Sequence, residues 1–155
     1  MKIYESQLME IRRYEQTDFA ACREIFLSNV PRFFMPEELD EFAQDLKRLS
    51  DPYFVAVKAG QVVGSGGYFR GAKGVGLSWG MVLRDLHGQG IGKALVQYRL
   101  ERIAEDCPDQ AVHIDTSQHT RPFYEKMGFI AERVEENGYG PGLHKVLMKR
   151  PPALP

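Results

Sequence analysis

The chain has 155 residues, of which 43% are hydrophobic and 26% are charged, and its formal net charge at pH 7 is −1. This balance excludes a disordered chain, and the length suits one domain, residues 1–155, rather than two. The near-neutral charge gives no reason to expect a nucleic-acid partner. No apolar run approaches the roughly 20 residues that a membrane span requires.

The two cysteines and the first residues bear on the compartment of the protein. Cys22 and Cys107 lie among apolar neighbours in predicted helices, which favours reduced core residues over a disulfide. Residues 1–10 lack a basic start followed by an apolar run, so no signal peptide is predicted. Together these features predict a soluble, cytoplasmic protein with no membrane partner.

The first half of the chain mixes helix and strand signals. Thr17 and Asp18 supply N-cap chemistry for a first helix, and Pro36 opens a second. The aromatic link Phe33–Met35 between them is either core packing or the wall of a pocket. The turn at residues 59–60 then predicts a hairpin. The predicted elements are strand 9–14, helices 19–29 and 36–49, and strands 53–58, 61–68 and 75–83.

The second half begins with a long helix and ends in strands. The Gly- and Pro-rich residues 137–142 are predicted to form a loop, and residues 151–155 a frayed tail. The predicted elements are helix 91–106, strand 111–116, helix 121–127, and strands 129–134 and 144–149. This order predicts a mixed α/β fold in which strands 75–83 and 111–116 lie parallel, with the long helix as their crossover.

The most informative run joins a strand to the long helix and reads His87-Gly88-Gln89-Gly90-Ile91-Gly92-Lys93. Glycines at a helix N-terminus let an anion approach the unpaired backbone N–H groups, and the helix dipole favours negative charge there. The alternative is a tight turn, for which one glycine would suffice. The spacing fits neither a P-loop nor the dinucleotide fingerprint, because Lys93 or Leu95 replaces the third glycine of the latter.

Two segments resemble signatures of the GCN5-related N-acetyltransferase (GNAT) family. Residues His87 to Gly92 resemble its acyl-CoA pyrophosphate loop, Arg/Gln-x-x-Gly-x-Gly/Ala, with His87 in place of Arg or Gln. Phe123-Tyr124-Glu125-Lys126-Met127-Gly128-Phe129 resembles the second signature, a short helix that ends in Tyr-Glu-Lys-Leu-Gly-Phe. Both occur in the family's order, and with the order of elements the resemblance covers essentially the whole chain.

The resemblance implies a GNAT-like fold, with a central mixed antiparallel and parallel sheet, helices on both faces, and two strands splayed apart at the coenzyme A site. It implies transfer of an acetyl group from acetyl-CoA to an amine of a small molecule or peptide by direct attack. The strand end would pair with pantetheine and the loop would hold the pyrophosphate. The implied cofactor-binding residues are Met81, Val82, Leu83, His87, Gly88, Gln89, Gly90, Ile91, Gly92 and Lys93.

The resemblance also implies a general acid. Tyr124 matches the family's tyrosine whose hydroxyl lies near the sulfur of coenzyme A, so it is the candidate that protonates the departing thiolate. The alternative is an aromatic side chain that packs against Phe123 and Phe129 in the core. A backbone N–H near Leu83 would polarise the thioester carbonyl, as an oxyanion donor does.

The general base is not evident. The predicted strand 75–83 contains no Asp or Glu, although many members of the family place a glutamate there. Asp115 and His113, which alternate onto one face of their strand, are equal candidates, and His119 follows in the next loop. Each is equally well explained as a surface residue, and bound water is an alternative relay for the proton.

Two other functions compete with the enzyme. A non-catalytic acyl-CoA-binding sensor would keep the loop and lack turnover, and the missing base favours it. A nucleotide-binding module is disfavoured because both nucleotide fingerprints fail. No metal site is assigned, the acceptor amine is not named, and both a monomer and a homodimer fit the sequence.

Overall fold

The structure is a computed structural model that describes residues 2–4 and 9–152. The strands are β1 Lys2–Tyr4, β2 Met9–Arg13, β3 Tyr53–Lys58, β4 Gln61–Gly71, β5 Gly74–Val82, β6 Val112–Thr116, β7 Ile130–Gly140 and β8 Leu143–Arg150. The helices are α1 Phe19–Ser28, α2 Leu39–Lys47, α3 Ile91–Asp106 and α4 Arg121–Lys126. Within these described residues, no helix is long and apolar enough to cross a membrane.

The strands form one mixed sheet in the order β1-β2-β3-β4-β5-β6-β8-β7. The pair β5–β6 is parallel and the other described pairs are antiparallel. Helix α3 connects the parallel pair, because parallel neighbours need a long crossover. The mixed α/β fold predicted from the sequence is confirmed.

The strands β5 and β6 pair only at their beginnings. Val75 lies opposite Val112 and Gly76 opposite His113, and the pairing stops there. On its other side β5 remains paired with β4 as far as Val82. The two parallel strands therefore diverge and leave a gap in the middle of the sheet, as the predicted fold requires.

Helices cover both faces of the sheet. Along β3, Phe54 packs into a buried cluster that includes residues of α3 and α4, whereas Tyr53 and Val55 pack into a second cluster with α1 and α2. Successive side chains of a strand point to opposite faces, so one strand contributes to both cores. The predicted arrangement of helices on both faces is confirmed.

Asp18 is the N-cap residue of the first helix, as predicted, but it does not cap the helix with its side chain. Its carboxylate instead accepts hydrogen bonds from Arg12 at 2.8 Å and from the backbone N–H of Glu15 at 2.8 Å. The bond from Arg12 is the main reason that the pKa of Asp18 lies below its ordinary value. An ion pair with Arg12 and a turn with Glu15, both close in sequence, therefore use the carboxylate that the cap of α1 would need.

Residues 137–142 form the end of a hairpin rather than a free loop. Strand β7 runs to Gly140 and pairs with β8 up to Leu143, with an irregularity between Glu135 and Gly140. The side-chain oxygen of Asn137 accepts a hydrogen bond from Gly142 N–H at 2.7 Å. The glycines permitted a bulged β-hairpin, a pattern that composition alone does not separate from a loop.

The remaining expectations concern the cysteines and the termini. Cys22 and Cys107 are both free and buried, as predicted. The signal-peptide prediction falls largely on residues 1 and 5–8, which lie outside the described residues. Of the predicted tail, residues 151–152 have no helix or strand, and residues 153–155 lie outside the described part of the chain.

Candidate active site

The gap between β5 and β6 opens into a groove of about 1130 Å³. The first turn of α3 lies at one end of the groove, and residues of α2, β7 and β8 line the other. The glycine run and Tyr124, which the sequence singled out separately, both line it. The fold has therefore brought the two signature segments to one site.

Two of the three glycines before α3 are required by the backbone. Gly88 and Gly90 have φ of 82° and 85°, in the left-handed region that favours glycine. Gly90 is the N-cap of α3 and has no side chain to satisfy the N–H groups of the first turn. Gly92 differs, since a Cβ there would make an ordinary 3.6 Å contact with Phe123. Neither φ nor packing therefore requires glycine at this position.

At the end of β5, Val82 is the residue whose backbone faces the gap. The N–H of Leu83 donates to the carbonyl of Val63 on β4 at 2.8 Å, and Val82 lies opposite Gly64. Paired and unpaired residues alternate in an antiparallel ladder, so the N–H and C=O of Val82 point away from β4. The N–H of Leu83 itself is thus engaged within the sheet, and the backbone groups that face the gap are those of Val82.

The carbonyl of Val82 accepts hydrogen bonds from two side chains. His87 donates to it through Nε2 at 2.8 Å, and Asn29 donates through Nδ2 at 2.9 Å. Asn29 is 2% exposed and also donates to the carbonyl of Ile25 at 2.8 Å. His87 is exposed and contacts the ring of Phe33 at 5.2 Å between centroids. In this structure His87 therefore turns back to the strand, and of the two donors it is the one free to move.

A bulge reshapes β5 just before the gap. Ser65 pairs with Met81 and Gly67 with Ser78, so Trp79 and Gly80 form the irregularity. Trp79 has φ of 44°, and its carbonyl accepts a hydrogen bond from the Tyr53 hydroxyl at 2.8 Å. This bond compensates part of the cost of a positive φ at a bulky residue. The bulge is therefore held from the α1–α2 side of the sheet.

Tyr124 is both packed and directed to the groove. It is 6% exposed, and its ring makes edge contacts with Phe123 at 5.0 Å and with Phe129 at 5.5 Å. Burial raises the pKa of its hydroxyl, and the neighbouring Arg99 opposes that rise. The ring of Tyr124 therefore packs in the core, which was the alternative to a role as general acid. This packing does not exclude a catalytic role for the hydroxyl.

The two candidate bases lie on the same face of β6, as predicted, but in different surroundings. Val112 and Ile114 point into the core, which leaves His113 and Asp115 on the other face. Asp115 lines the groove, and its carboxylate lies 3.8 Å from the ammonium of Lys145. His113 lies where β5 and β6 still pair, away from the gap. The structure therefore favours Asp115 over His113 as a residue of the site.

His119 lies at the mouth of the groove. Its ring contacts Phe33 at 6.0 Å, and the guanidinium of Arg84 lies 4.8 Å from the centre of the same Phe33 ring. Burial is the main cause that lowers the pKa of His119, and the charge of Arg32 adds to it. The sequence allowed Phe33 to be either a core residue or the wall of a pocket. In the structure Phe33 lines the groove and contacts both His87 and His119.

Sequence reasoning missed an acidic group at the far end of the groove. Glu38 lies in the turn before α2, half-buried, and its carboxylate accepts a hydrogen bond from the N–H of Met35 at 2.8 Å. Burial raises its pKa, although the Met35 bond and the charge of Lys145 oppose the rise. A glutamate in the first turn of a helix is already explained by its favourable interaction with the helix dipole. The sequence therefore gave no sign that Glu38 also lines a groove.

Tyr139 and Lys145 complete this end of the groove. Tyr139 is half-buried, and desolvation is the main cause that raises the pKa of its phenol, with the charges of Asp115 and Glu38 adding to it. The ammonium of Lys145 lies 5.9 Å from the centre of the Tyr139 ring. Two carboxylates and one ammonium thus face the groove around one phenol.

The comparisons with known proteins identify the family. The model of the acetyltransferase (GNAT) domain family matches residues 11–150. The chain therefore belongs to the GNAT acetyltransferases, and the family predicted from the sequence is confirmed. No curated protein sequence matches the chain.

Solved structures of the same fold include members of this family. The ribosomal-protein-S18-alanine N-acetyltransferase from Escherichia coli has a TM-score of 0.79 and 18% identity, over 95% of this chain and 96% of its own. A GCN5-related N-acetyltransferase from Kribbella flavida has a TM-score of 0.74 and 23% identity, over 96% of this chain and 99% of its own. A phosphinothricin acetyltransferase from Sinorhizobium meliloti, solved with AcCoA, has a TM-score of 0.76 and 19% identity, over 94% of this chain and 89% of its own. At these identities the likeness establishes the fold.

Proposed function

We propose that the protein is an N-acetyltransferase that moves an acetyl group from acetyl-CoA to the amine of a small, positively charged acceptor. The observation that carries the proposal is the groove between β5 and β6. It leads from the glycine turn before α3, past Tyr124, to the carboxylates of Glu38 and Asp115. A donor bound at one end and an amine at the other would meet beside Tyr124.

The donor end fits acetyl-CoA. Backbone N–H groups at the start of α3, with glycine as the N-cap, suit a pyrophosphate, and the dipole of α3 favours its charge. Val82 offers an N–H and a C=O toward the gap, which is the pairing that an extended pantetheine arm needs. The AcCoA complex of the related phosphinothricin acetyltransferase supports the same choice of donor.

His87 has a part in this binding. Its ring donates to the carbonyl of Val82, so a pantetheine amide would take that acceptor only after His87 turns away. The exposed position of His87 makes such a turn inexpensive. The imidazole would then be free to contact the pyrophosphate, although the backbone N–H groups supply most of the binding.

The acceptor end favours an amine with a positive charge. Acidic side chains outnumber basic ones at this end, where Glu38, Glu41, Asp45 and Asp115 line the groove with Arg48 and Lys145, so it carries a surplus of negative charge when the carboxylates are ionised. An ammonium neutralises that charge, whereas a carboxylate-bearing acceptor adds to it. Glu38 is also the base of the proposal, because it lines the groove and burial raises its pKa, which makes its carboxylate a stronger base than an exposed glutamate.

The proposed reaction is direct acyl transfer. The neutral amine attacks the thioester carbonyl, the new C–N bond forms, and the C–S bond breaks as the sulfur takes the electron pair. Before the attack Glu38 takes a proton from the ammonium, directly or through water, and passes it to solvent. The nitrogen loses its second proton to Glu38 once the C–N bond has formed, and the hydroxyl of Tyr124 donates a proton to the sulfur. The N–H of Val82 is the open backbone donor nearest the expected carbonyl oxygen.

The compartment of the protein follows from its cysteines as a further part of the proposal. Cys22 and Cys107 are free, and burial raises the pKa of the Cys22 thiol to about 11. Unreactive free thiols are typical of a reducing compartment, so we place the protein in the cytoplasm.

The experiment is a thiol-release screen with acetyl-CoA against polyamines, aminoglycosides, amino acids and peptides. The proposal expects release of coenzyme A with the cationic amines and little with the amino acids. A melting temperature that rises with acetyl-CoA, while no amine of the panel causes release, would favour the sensor alternative. A preference for amino acids would overturn the acceptor class and leave the acetyl transfer intact.

A further inference from the structure

Asn29 places a buried amide at the wall of the groove. It is the C-cap residue of α1, where its backbone N–H donates to the carbonyl of Phe26 at 3.0 Å. The residue is 2% exposed, and it lines the groove. Buried polar groups are nearly always hydrogen-bonded, so both ends of this amide need an account of their partners.

The nitrogen of the amide is fully engaged. Nδ2 donates to the carbonyl of Ile25 at 2.8 Å and to the carbonyl of Val82 at 2.9 Å, and it lies 3.4 Å from Oγ of Ser28. A carbonyl oxygen only accepts, so the reversed amide would set its own oxygen against two others. The partners therefore fix which end of the amide is the nitrogen.

The oxygen of the same amide has no partner. Oδ1 of Asn29 is buried and accepts no hydrogen bond from any of the described residues. An unpaired buried acceptor is costly, because it has given up water without compensation. The link from α1 to β5 uses the nitrogen alone. The oxygen is therefore left for a donor that the described chain does not supply.

The neighbouring carbonyl of Val82 is in the opposite state. It accepts from Asn29 and also from Nε2 of His87 at 2.8 Å, which matches the two lone pairs of a carbonyl oxygen. The nitrogen and the oxygen of one amide share a carbon, so Oδ1 of Asn29 also lies beside the end of β5. A ligand that enters the gap with N–H groups thus meets one filled acceptor and one unpaired acceptor side by side.

The two donors to Val82 differ in their freedom to move. Asn29 is buried and anchored to Ile25, whereas His87 is exposed. When His87 turns away, as the binding of pantetheine requires, space opens next to the Asn29 amide and the amide itself stays in place. The donor site then consists of a fixed amide and a movable imidazole around one carbonyl.

We propose that Asn29 is a binding residue of the donor site, and that its Oδ1 accepts a hydrogen bond from an amide N–H of the pantetheine arm. The arm is uncharged and contains two secondary amides, so its N–H groups suit a neutral acceptor. A pyrophosphate offers no donor, and the acceptor ammonium is expected at the carboxylates of the other end. The proposal rests on the donor site described above.

The hydrogen bond can be observed in the wild-type protein. The sequence contains two asparagines, Asn29 and Asn137, so labelling asparagine with 13C and 15N gives two side-chain amide signals. The signal missing from Asn137→Asp is that of Asn137. We expect 13Cγ of Asn29 to move downfield when acetyl-CoA binds, because a new hydrogen bond polarises the side-chain carbonyl. Adenosine 3′,5′-bisphosphate, which has no pantetheine arm, should leave this signal in place.

Asn137 is the internal control of this measurement. Its Oδ1 already accepts a hydrogen bond from Gly142 N–H at 2.7 Å in the β7–β8 hairpin, so its 13Cγ should respond to neither ligand. An Asn29 signal that stays in place at saturating acetyl-CoA would overturn the proposal. So would a signal that adenosine 3′,5′-bisphosphate moves equally far.

A binding cycle identifies the partner in the ligand. Two analogues of acetyl-CoA each replace one amide of the arm by an ester, which lacks the N–H. Asn29→Leu removes Oδ1, and it should weaken the binding of acetyl-CoA roughly two- to ten-fold more than that of one of the analogues, the range of one neutral hydrogen bond. Equal losses for acetyl-CoA and both analogues would overturn the proposal. If Asn29→Leu does not fold, the 13Cγ measurement on the wild type decides.

The test separates this proposal from the proposed function. It needs acetyl-CoA and no acceptor amine, so it does not depend on turnover. Binding of acetyl-CoA without a change at Asn29 would overturn the role of Asn29 and leave the donor site intact. Absence of acetyl-CoA binding, seen as an unchanged melting temperature, would overturn the donor site and the role of Asn29 together.

Discussion

The two ends of the groove are built by different means. The donor end consists mainly of backbone: the turn at Gly88 and Gly90, the start of α3 and the N–H and C=O of Val82 that face the gap. The acceptor end consists of side chains from separate elements, with Glu38 before α2 and Asp115 on β6. A backbone site binds the part of the donor that does not vary, whereas side chains can change the acceptor without changing the fold.

The largest expected effect concerns the donor end. Gly90→Leu should abolish the rise in melting temperature that acetyl-CoA produces, because the side chain blocks the N–H groups of α3 and φ at this position is 85°. Thermal denaturation with and without acetyl-CoA measures it.

A matched control separates binding from backbone strain. Gly60 has φ of 76° in the β3–β4 turn, with nothing within 4 Å of a Cβ, so Gly60→Leu carries similar strain away from the groove. It should melt lower and keep the acetyl-CoA shift. A folded Gly90→Leu that retains the shift would remove the glycine turn from the donor site.

The next effect lies where the two ends meet. Tyr124→Phe keeps the ring contacts with Phe123 and Phe129 and removes the proposed acid, which is worth roughly 10²–10⁴ in rate. We expect kcat to fall at least about ten-fold, since solvent can protonate a thiolate, with little change in acetyl-CoA affinity. Steady-state kinetics and a melting curve check it. An unchanged kcat would show that Tyr124 only packs in the core. A large loss of stability would show that its hydroxyl stabilises the fold, so that a lower kcat would not indicate acid catalysis.

At the acceptor end, Glu38→Gln should lower kcat about ten-fold, with water as the remaining base. The carboxylate must be ionised to accept a proton, so activity in the wild type should be lost as pH falls through the pKa of Glu38. Burial raises that pKa, and the loss should therefore begin above the pH at which an exposed glutamate titrates. The pH profile of kcat measures it.

The neighbouring Glu37 provides the control for this prediction. It is exposed in the same turn, and its charge adds to the rise in the pKa of Glu38. Glu37→Gln should therefore leave the plateau of kcat unchanged and move the acidic limb only slightly, toward lower pH. An acidic limb that persists unaltered in Glu38→Gln would assign the base elsewhere, with Asp115 as the next variant to measure.

The smallest effect is expected for His87. Backbone groups supply most of the donor site, so His87→Ala should weaken acetyl-CoA binding by no more than one charge-assisted hydrogen bond, about 1.5–3 kcal/mol. The carbonyl of Val82 that His87 vacates offsets part of this loss. Calorimetric titration measures it, and His87→Arg should bind at least as well. No detectable binding in a folded His87→Ala would show that the donor end depends on its side chains too.

The sequence by itself determined the fold, and it also supplied the motif on which the proposed donor end rests. The glycine run, the short helix around Tyr124 and the order of strands and helices are local patterns, and local patterns are read from spacing. The family match and the mixed sheet with splayed strands confirm the fold that these patterns predicted. The hairpin at residues 137–142 and the contacts of Asp18 were not predicted, although their partners lie close in sequence, because these patterns do not show which polar group a side chain will bind.

Only the tertiary structure decided the acceptor end and the partners of Val82. Glu38 and Lys145 are distant in sequence, and each alone is an ordinary surface charge until the fold places both beside the groove. Asn29 is in sequence only the end of the first predicted helix, and the fold alone brings its amide to the carbonyl of Val82 on β5. Backbone chemistry repeats along a motif, whereas side chains from distant elements acquire a joint function only through packing.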